Sequence, residues 1–218
     1  MLLHAGPEIA VASTKAYTGQ VATLAFLAKA VGEANGNEKA KKFDLVRELS
    51  IVAQSIESTL SEKELIEEKV RGLLETTRNA FYIGRGQDYY VVMEASLKLK
   101  EISYIQCEGF AAGELKHGTI SLIEDGTPVI ALISDNPTVA SHTRGNISEV
   151  VARGANALTI VEEGIEKEGD DIIINKVHPY LSSISMVIPT QLIAYYASLH
   201  RGLDVDKPRN LAKAVTVE

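Results

Sequence analysis

The chain has one cysteine, Cys107, and no tryptophan among its 218 residues. A single thiol excludes an internal disulfide and fits a reducing compartment, so the expected location is the cytoplasm. Long apolar runs are also missing: no stretch approaches the roughly 18 uninterrupted apolar residues of a membrane span. Basic side chains are the minority, 22 against 29 acidic, for a formal charge of −7. No Lys/Arg cluster along the sequence offsets that balance, which excludes broad binding to a nucleic-acid backbone. The start, Met1-Leu2-Leu3-His4, lacks the basic and then apolar segments of a secretory signal. The five histidines show neither His-x-His nor His-x₃-His spacing, so no metal site is expected and no cofactor is implied.

What is present is a 45% hydrophobic content, enough for one sizeable core. Ile9 to Ala34 carries Val21, Leu24, Ala25, Ala28 and Val31 at helical spacing, which predicts a largely buried helix ended by Asn35-Gly36-Asn37. Phe43–Leu60 and Ser61–Thr76 read as two amphipathic helices, the second with a capping box of Ser61 and Glu64. After Arg78 the pattern changes. Strands are expected at 80–83, 128–133, 157–161 and 172–174, with helices over 89–105 and about 139–153 and a long one containing 189–199. Alternating strands and helices with Val/Ile-rich strands predict an α/β, doubly wound, mostly parallel sheet with helices on both faces. Residues 202–218 read as an irregular tail with a short turn at Leu211-Ala212-Lys213.

Glu94, Lys98 and Glu101 fall at i, i+4 and i+7 on one helix face. Two readings stay open from spacing alone. One is a solvated face with ordinary ion pairs. The other is a carboxylate and an ammonium at the sheet's ligand edge, Glu101 moving a proton and Lys98 holding a developing negative charge. His117 ends a small-residue run, Ala111-Ala112-Gly113-Glu114-Leu115-Lys116-His117-Gly118, and is either a surface-loop histidine or an acid/base group. Val11-Ala12-Ser13-Thr14-Lys15 opens the first helix, either as a simple N-cap or as a site for a sugar hydroxyl or anion. Gly84-Arg85-Gly86, between strand and helix, is an incomplete phosphate-loop pattern. Lys213 becomes a nucleophile only where burial or neighbours lower its pKa.

Four runs, read together, resemble the isomerase region of the glutamine–fructose-6-phosphate aminotransferase family. They are Gly-Pro-Glu-Ile-Ala-Val-Ala-Ser-Thr-Lys-Ala (6–16), Glu-Ala-Ser-Leu-Lys-Leu-Lys-Glu-Ile-Ser-Tyr-Ile (94–105), Ala-Gly-Glu-Leu-Lys-His-Gly (112–118) and Asp-Lys-Pro-Arg-Asn-Leu-Ala-Lys-Ala-Val-Thr-Val-Glu (206–218). The resemblance implies a sugar isomerase (SIS) domain at 61–201, preceded by the closing helix of another SIS subdomain with connecting helices at 1–60, and followed by an active-site tail at 202–218. It implies catalytic roles for Glu101 as the C1–C2 proton carrier, Lys213 as the Schiff-base lysine, His117 in ring opening across a homodimer, and Lys98 beside the base. It implies sugar contacts from Val11, Ser13, Glu94 and Ala212. The implied reaction turns fructose 6-phosphate into glucosamine 6-phosphate. The family's glutaminase cysteine and Ser/Thr-rich phosphate loop have no counterpart here; the comparable strand end reads Ser134-Asp135-Asn136-Pro137-Thr138. The isolated chain is therefore expected to be inactive. The alternatives are a stand-alone SIS module that senses a sugar phosphate and a related deglycase or ketose isomerase.

Overall fold

The computed structural model describes residues 2–134 and 136–213. Its centre is a five-stranded, all-parallel sheet in the order β2-β1-β3-β4-β5. The strands are β1 (Asn79–Gly84), β2 (Gln106–Ala111), β3 (Pro128–Ile133), β4 (Asn156–Glu162) and β5 (Ile172–Ile174). Strand alternation divides the core into two layers. Ala80, Tyr82, Ile130, Leu132, Leu158 and Ile160 face helices α4 (Lys63–Leu74), α5 (Gln87–Ser103) and α7 (Ser182–His200). Phe81, Ile83, Val129 and Ala131 face the other way, against Leu115, Ile120 and Ile123 and helix α6 (Pro137–Val151). The doubly wound α/β arrangement expected from the sequence is what the chain adopts.

Three helices precede the sheet: α1 (Lys15–Ala34), α2 (Glu38–Lys42) and α3 (Leu45–Ser61). The sequence predicts a buried first helix, and the structure differs. Helix α1 starts at Lys15 rather than Ile9 and contains no buried residue. Leu24 and Leu27 are 61% and 54% exposed, because α1 packs inward through Tyr17, Val21, Ala22 and Ala25 and not through these leucines. Periodicity identifies an apolar face but not what covers it. The capping box is also corrected. Ser61 is the last residue of α3, where its hydroxyl donates to the Ser58 carbonyl at 2.7 Å, and α4 begins without a side-chain cap. Strand β2 was missed because Glu108 and Gly109 interrupt any Val/Ile signature on this edge strand. Asn37 does more than end α1, since its side chain accepts from the Lys39 and Ala40 amides and starts α2.

Beyond α7 the chain crosses back over the domain. The Val11 amide donates to the Asp206 carbonyl at 2.9 Å, and the Arg209 amide donates to the Tyr104 hydroxyl at 2.7 Å. These bonds bring the first and last described segments together. Residues 214–218 of the expected tail, and Asp135 of the strand end compared with a phosphate loop, lie outside the described residues.

Candidate active site

Helix α5 leaves β1 through Gly84-Arg85-Gly86. Gly86 has φ +59°, and a Cβ on Gly84 would come within 2.8 Å of the Asp88 backbone, so the turn requires both glycines. A helix following a strand of a parallel sheet runs back antiparallel to it. Its last turn therefore lies at the amino ends of the strands, where Tyr104 closes it at φ +60° and the Gln106 amide donates to the Arg78 carbonyl. Glu101 sits there. The reading that puts Glu101 and Lys98 at the sheet's ligand edge, which in open parallel sheets is the carboxyl end, is corrected by this geometry.

The three side chains do form one cluster. Lys98 Nζ lies 2.5 Å from Glu101 Oε2 and 3.4 Å from Glu94 Oε1, with only 5% of its side chain exposed. A buried ammonium between two carboxylates is far from the solvated-face reading. Burial pushes the Glu94 carboxyl above its usual pKa; Lys98 opposes that shift and Glu101 reinforces it. Tyr17 of α1 stands close enough to feel this charge: burial first, and the Glu94 carboxylate second, raise its phenol pKa.

A second cluster joins the two ends of the described chain. Lys213 Nζ donates to Glu8 Oε2 at 2.7 Å, to the Ala10 carbonyl at 3.1 Å and to the Val11 carbonyl at 3.4 Å. The same Glu8 carboxylate accepts from the Thr14 amide at 2.8 Å and the Ala16 amide at 3.3 Å. Thr14 itself makes no side-chain cap, so Glu8 is the cap of α1. Burial would raise the Glu8 pKa, but the Lys213 contact and the two amides outweigh it and bring it down to about 2. Lys213 is not buried; 45% of its side chain is exposed.

Of the residues singled out by sequence, Glu94, Lys98 and Glu101 come together. Val11 and Lys213 meet through the Val11 carbonyl, and exposed Ala212 and half-buried Ser13 are their chain neighbours. His117 stays apart. Its segment packs through Leu115 on the sheet face opposite α5, its ring is exposed, and it makes no side-chain bond among the described residues. Arg85 is engaged as well, donating to Asn146 at 2.9 and 3.1 Å, so the Gly84-Arg85-Gly86 turn presents no uncommitted guanidinium. Sequence reasoning passed over Glu8 and Tyr17. Glu8 meets its lysine 205 residues away, which no spacing rule reveals, whereas Tyr17 adjoins the 6–16 run and so had a weak signal.

At the carboxyl end of the sheet, Asp88 is fully buried and Oδ2 accepts from the Ser134 amide and hydroxyl at 2.9 and 3.0 Å. Its Oδ1 has no partner among the described residues. Among those residues no group of three His, Cys, Asp or Glu side chains could hold a metal, and no helix is long and apolar enough to cross a membrane.

A family model described as SIS domain matches residues 73–201. Along all 218 residues the chain is 84% identical to a glutamine–fructose-6-phosphate aminotransferase [isomerizing] of Streptococcus agalactiae and 82% identical to that of Streptococcus mutans. It spans 36% of the length of each, in the C-terminal part. The C-terminal domain of glucosamine-fructose-6-phosphate aminotransferase from Francisella tularensis superposes with a TM-score of 0.84 at 29% identity, covering 93% of this chain and 58% of that one. A glucosamine-6-phosphate deaminase from Thermotoga maritima shares the fold, with a TM-score of 0.72 at 24% identity over 96% of this chain and 59% of that one. The match over most of the sheet and its helices, with the same architecture in these structures, shows that the chain belongs to the SIS domain family.

Proposed function

We propose that the chain is the sugar-isomerising part of an aminotransferase that makes glucosamine 6-phosphate from fructose 6-phosphate and ammonia. The observation that carries this reading is the buried Lys98 ammonium held between Glu94 and Glu101, in a chain 84% identical end to end to part of an enzyme of that name.

Ammonia and the ketose carbonyl give an imine at C2. The imine acidifies the C1 hydrogen, because loss of that proton leaves an enolamine delocalised over C1, C2 and nitrogen. Glu101 takes the proton from C1 and returns it at C2, with Lys98 fixing the carboxylate and balancing its charge. Lys213 forms the Schiff base with the open-chain sugar before ammonia replaces it. Its contacts with Glu8 and two carbonyls hold the amino group in place; leaving Glu8 and giving a proton to solvent makes it the free amine, which attacks the carbonyl with water as the leaving group. Val11, Ser13, Glu94 and Ala212 contact the sugar. His117 assists ring opening in the neighbouring subunit of a cytoplasmic homodimer; its place on the opposite sheet face, exposed and unbonded, supports a partner other than its own Glu101.

The same reading divides the chain at residues 60 and 201. The family match ending at residue 201 supports the second boundary, and the exposed apolar side of α1 supports the first, as a helix that closes a preceding subdomain.

The test is Glu101→Gln, in a full-length streptococcal aminotransferase carrying this segment. Fructose 6-phosphate should still bind. Solvent exchange of the C1 proton should fall by roughly 10²–10⁴-fold, the usual contribution of a positioned acid/base group. Exchange at the wild-type rate would remove Glu101 from the mechanism.

A further inference from the structure

A cavity of about 760 Å³ opens at the amino ends of β1 and β2 and is walled by cations from four separate segments. Arg78 comes from the α4–β1 connection, Lys100 from α5, Arg201 from the end of α7 and Arg209 from the tail. None of the four has a carboxylate partner within 4.0 Å among the described residues, whereas Lys69, Arg71, Lys98 and Arg144 elsewhere all do. Two of them are held in place. Arg201 donates through Nη1 to the last carbonyls of α4 and to Thr77, at 2.9 to 3.5 Å, which leaves its Nε–H and Nη2 edge uncommitted. The Arg209 guanidinium stacks 4.2 Å from the centroid of the Tyr104 ring. Arg78 and Lys100 are exposed and make no side-chain bond.

We propose that this cavity is a binding site for a small molecule bearing two or more linked phosphate groups. Four cations around one cavity, opposed by the single carboxylate of Glu75 in a chain of net −7, repel one another, and a polyanion relieves that repulsion. Planar guanidinium forks match phosphate oxygens two at a time, and two of those at this site are already oriented by Tyr104 and by the end of α4. Four charges call for a polyanion, since one carboxylate would leave most of them unbalanced. The volume falls in the range of small-molecule sites, roughly 300–1,000 Å³. The site is separate from the Lys98 cluster: at about 100° per residue, Lys100 lies some 200° around α5 from Lys98. Glu75, also in the wall, is the one opposing charge among its lining residues.

Isothermal titration of the chain with pyrophosphate, against sodium chloride of equal ionic strength, tests the proposal. Saturable binding is expected, weakened at least 10-fold in the double variant Arg78→Gln/Lys100→Gln and tightened a few-fold in Glu75→Gln. Both changes alter exposed side chains, so the fold should survive them, and unchanged circular dichroism checks that. Glu101→Gln should bind as the wild type does, which separates this site from the proposed isomerase centre. Absence of saturable binding, equal affinity in the double variant, or orthophosphate binding as tightly as pyrophosphate would each overturn the proposal.

Discussion

At the amino end of the sheet two carboxylates close on one buried ammonium, while at the carboxyl end Asp88 is buried against hydroxyl and amide donors with no ion-pair partner among the described residues. Both places take charge out of water, and they resolve the cost differently. Lys98 is met by a carboxylate on either side, from Glu94 and Glu101. Asp88 has only Ser134 to stabilise its charge; burial outweighs those two bonds, Glu162 adds repulsion, and its pKa rises to about 6. Open parallel sheets usually receive ligands at their carboxyl ends. In this chain the paired, chemically versatile groups lie at the other end, and the carboxyl end is occupied by the chain's own side chains, Arg85 on Asn146 and Asp88 on Ser134.

The largest expected effect comes from breaking the ion cluster. Lys98→Met keeps most of the side-chain volume and leaves Glu94 and Glu101 facing each other without a cation. Removing one member of a buried pair typically costs about 3–5 kcal/mol, and we expect the lower part of that range because Glu101 reaches solvent. Urea unfolding at pH 7 measures it. A loss below about 1 kcal/mol would mean that the cluster is a surface pair in all but geometry, and the contrast with Asp88 would collapse.

Asp88 should show the opposite sensitivity. Its folded pKa lies above the unfolded value of 3.8, so its stabilising contribution is complete below about pH 4 and is lost as pH rises through about 6. The shift of about two units corresponds to about 3 kcal/mol between pH 4 and pH 7. Asp88→Asn can still accept both Ser134 bonds and cannot ionise. The stability difference, wild type minus variant, should therefore fall by up to that amount over this range, as read by urea unfolding at a series of pH values. A difference independent of pH would show that Asp88 is charged at the bottom of the range too.

The two regions were not equally legible in the sequence. The i, i+4, i+7 spacing of Glu94, Lys98 and Glu101 places them on one helix face, and the structure joins them there. Their depth was hidden, because burial of Lys98 depends on elements distant in sequence from α5, as the packing of α7 along it illustrates. Strands β3 and β5 were read to the residue, since runs such as Pro128–Ile133 are apolar on both faces. Edge strand β2 was not, since Glu108 and Gly109 break that pattern. Exposure was misjudged in α1 for a related reason: an apolar stripe is local, whereas its cover is not. Pairings such as Glu8 with Lys213, or the four cations around one cavity, are formed by the chain's return across the sheet and leave no trace in spacing.

The smallest effect concerns that return, and it sharpens the comparison by supplying a carboxylate shifted the other way. Glu8 is held at about 2, below its ordinary 4.5, so its contribution is present above pH 4.5 and lost as pH falls towards 2. The full shift would overstate the stability at stake, because Lys213 is 45% exposed and its attraction is screened by water. Discounted for that, and with the Gln Oε1 still able to accept from both the Thr14 and Ala16 amides at the start of α1, Glu8→Gln should cost about 1–2 kcal/mol at pH 7. At pH 2 the difference from the wild type should shrink to a few tenths of a kcal/mol, because about half of the Glu8 carboxylate is then protonated and most of its advantage is lost. Thermal unfolding at both pH values gives the comparison. Equal losses at pH 2 and pH 7 would assign Glu8 a role in packing alone, and would remove the carboxylate shifted downward from the comparison with Asp88.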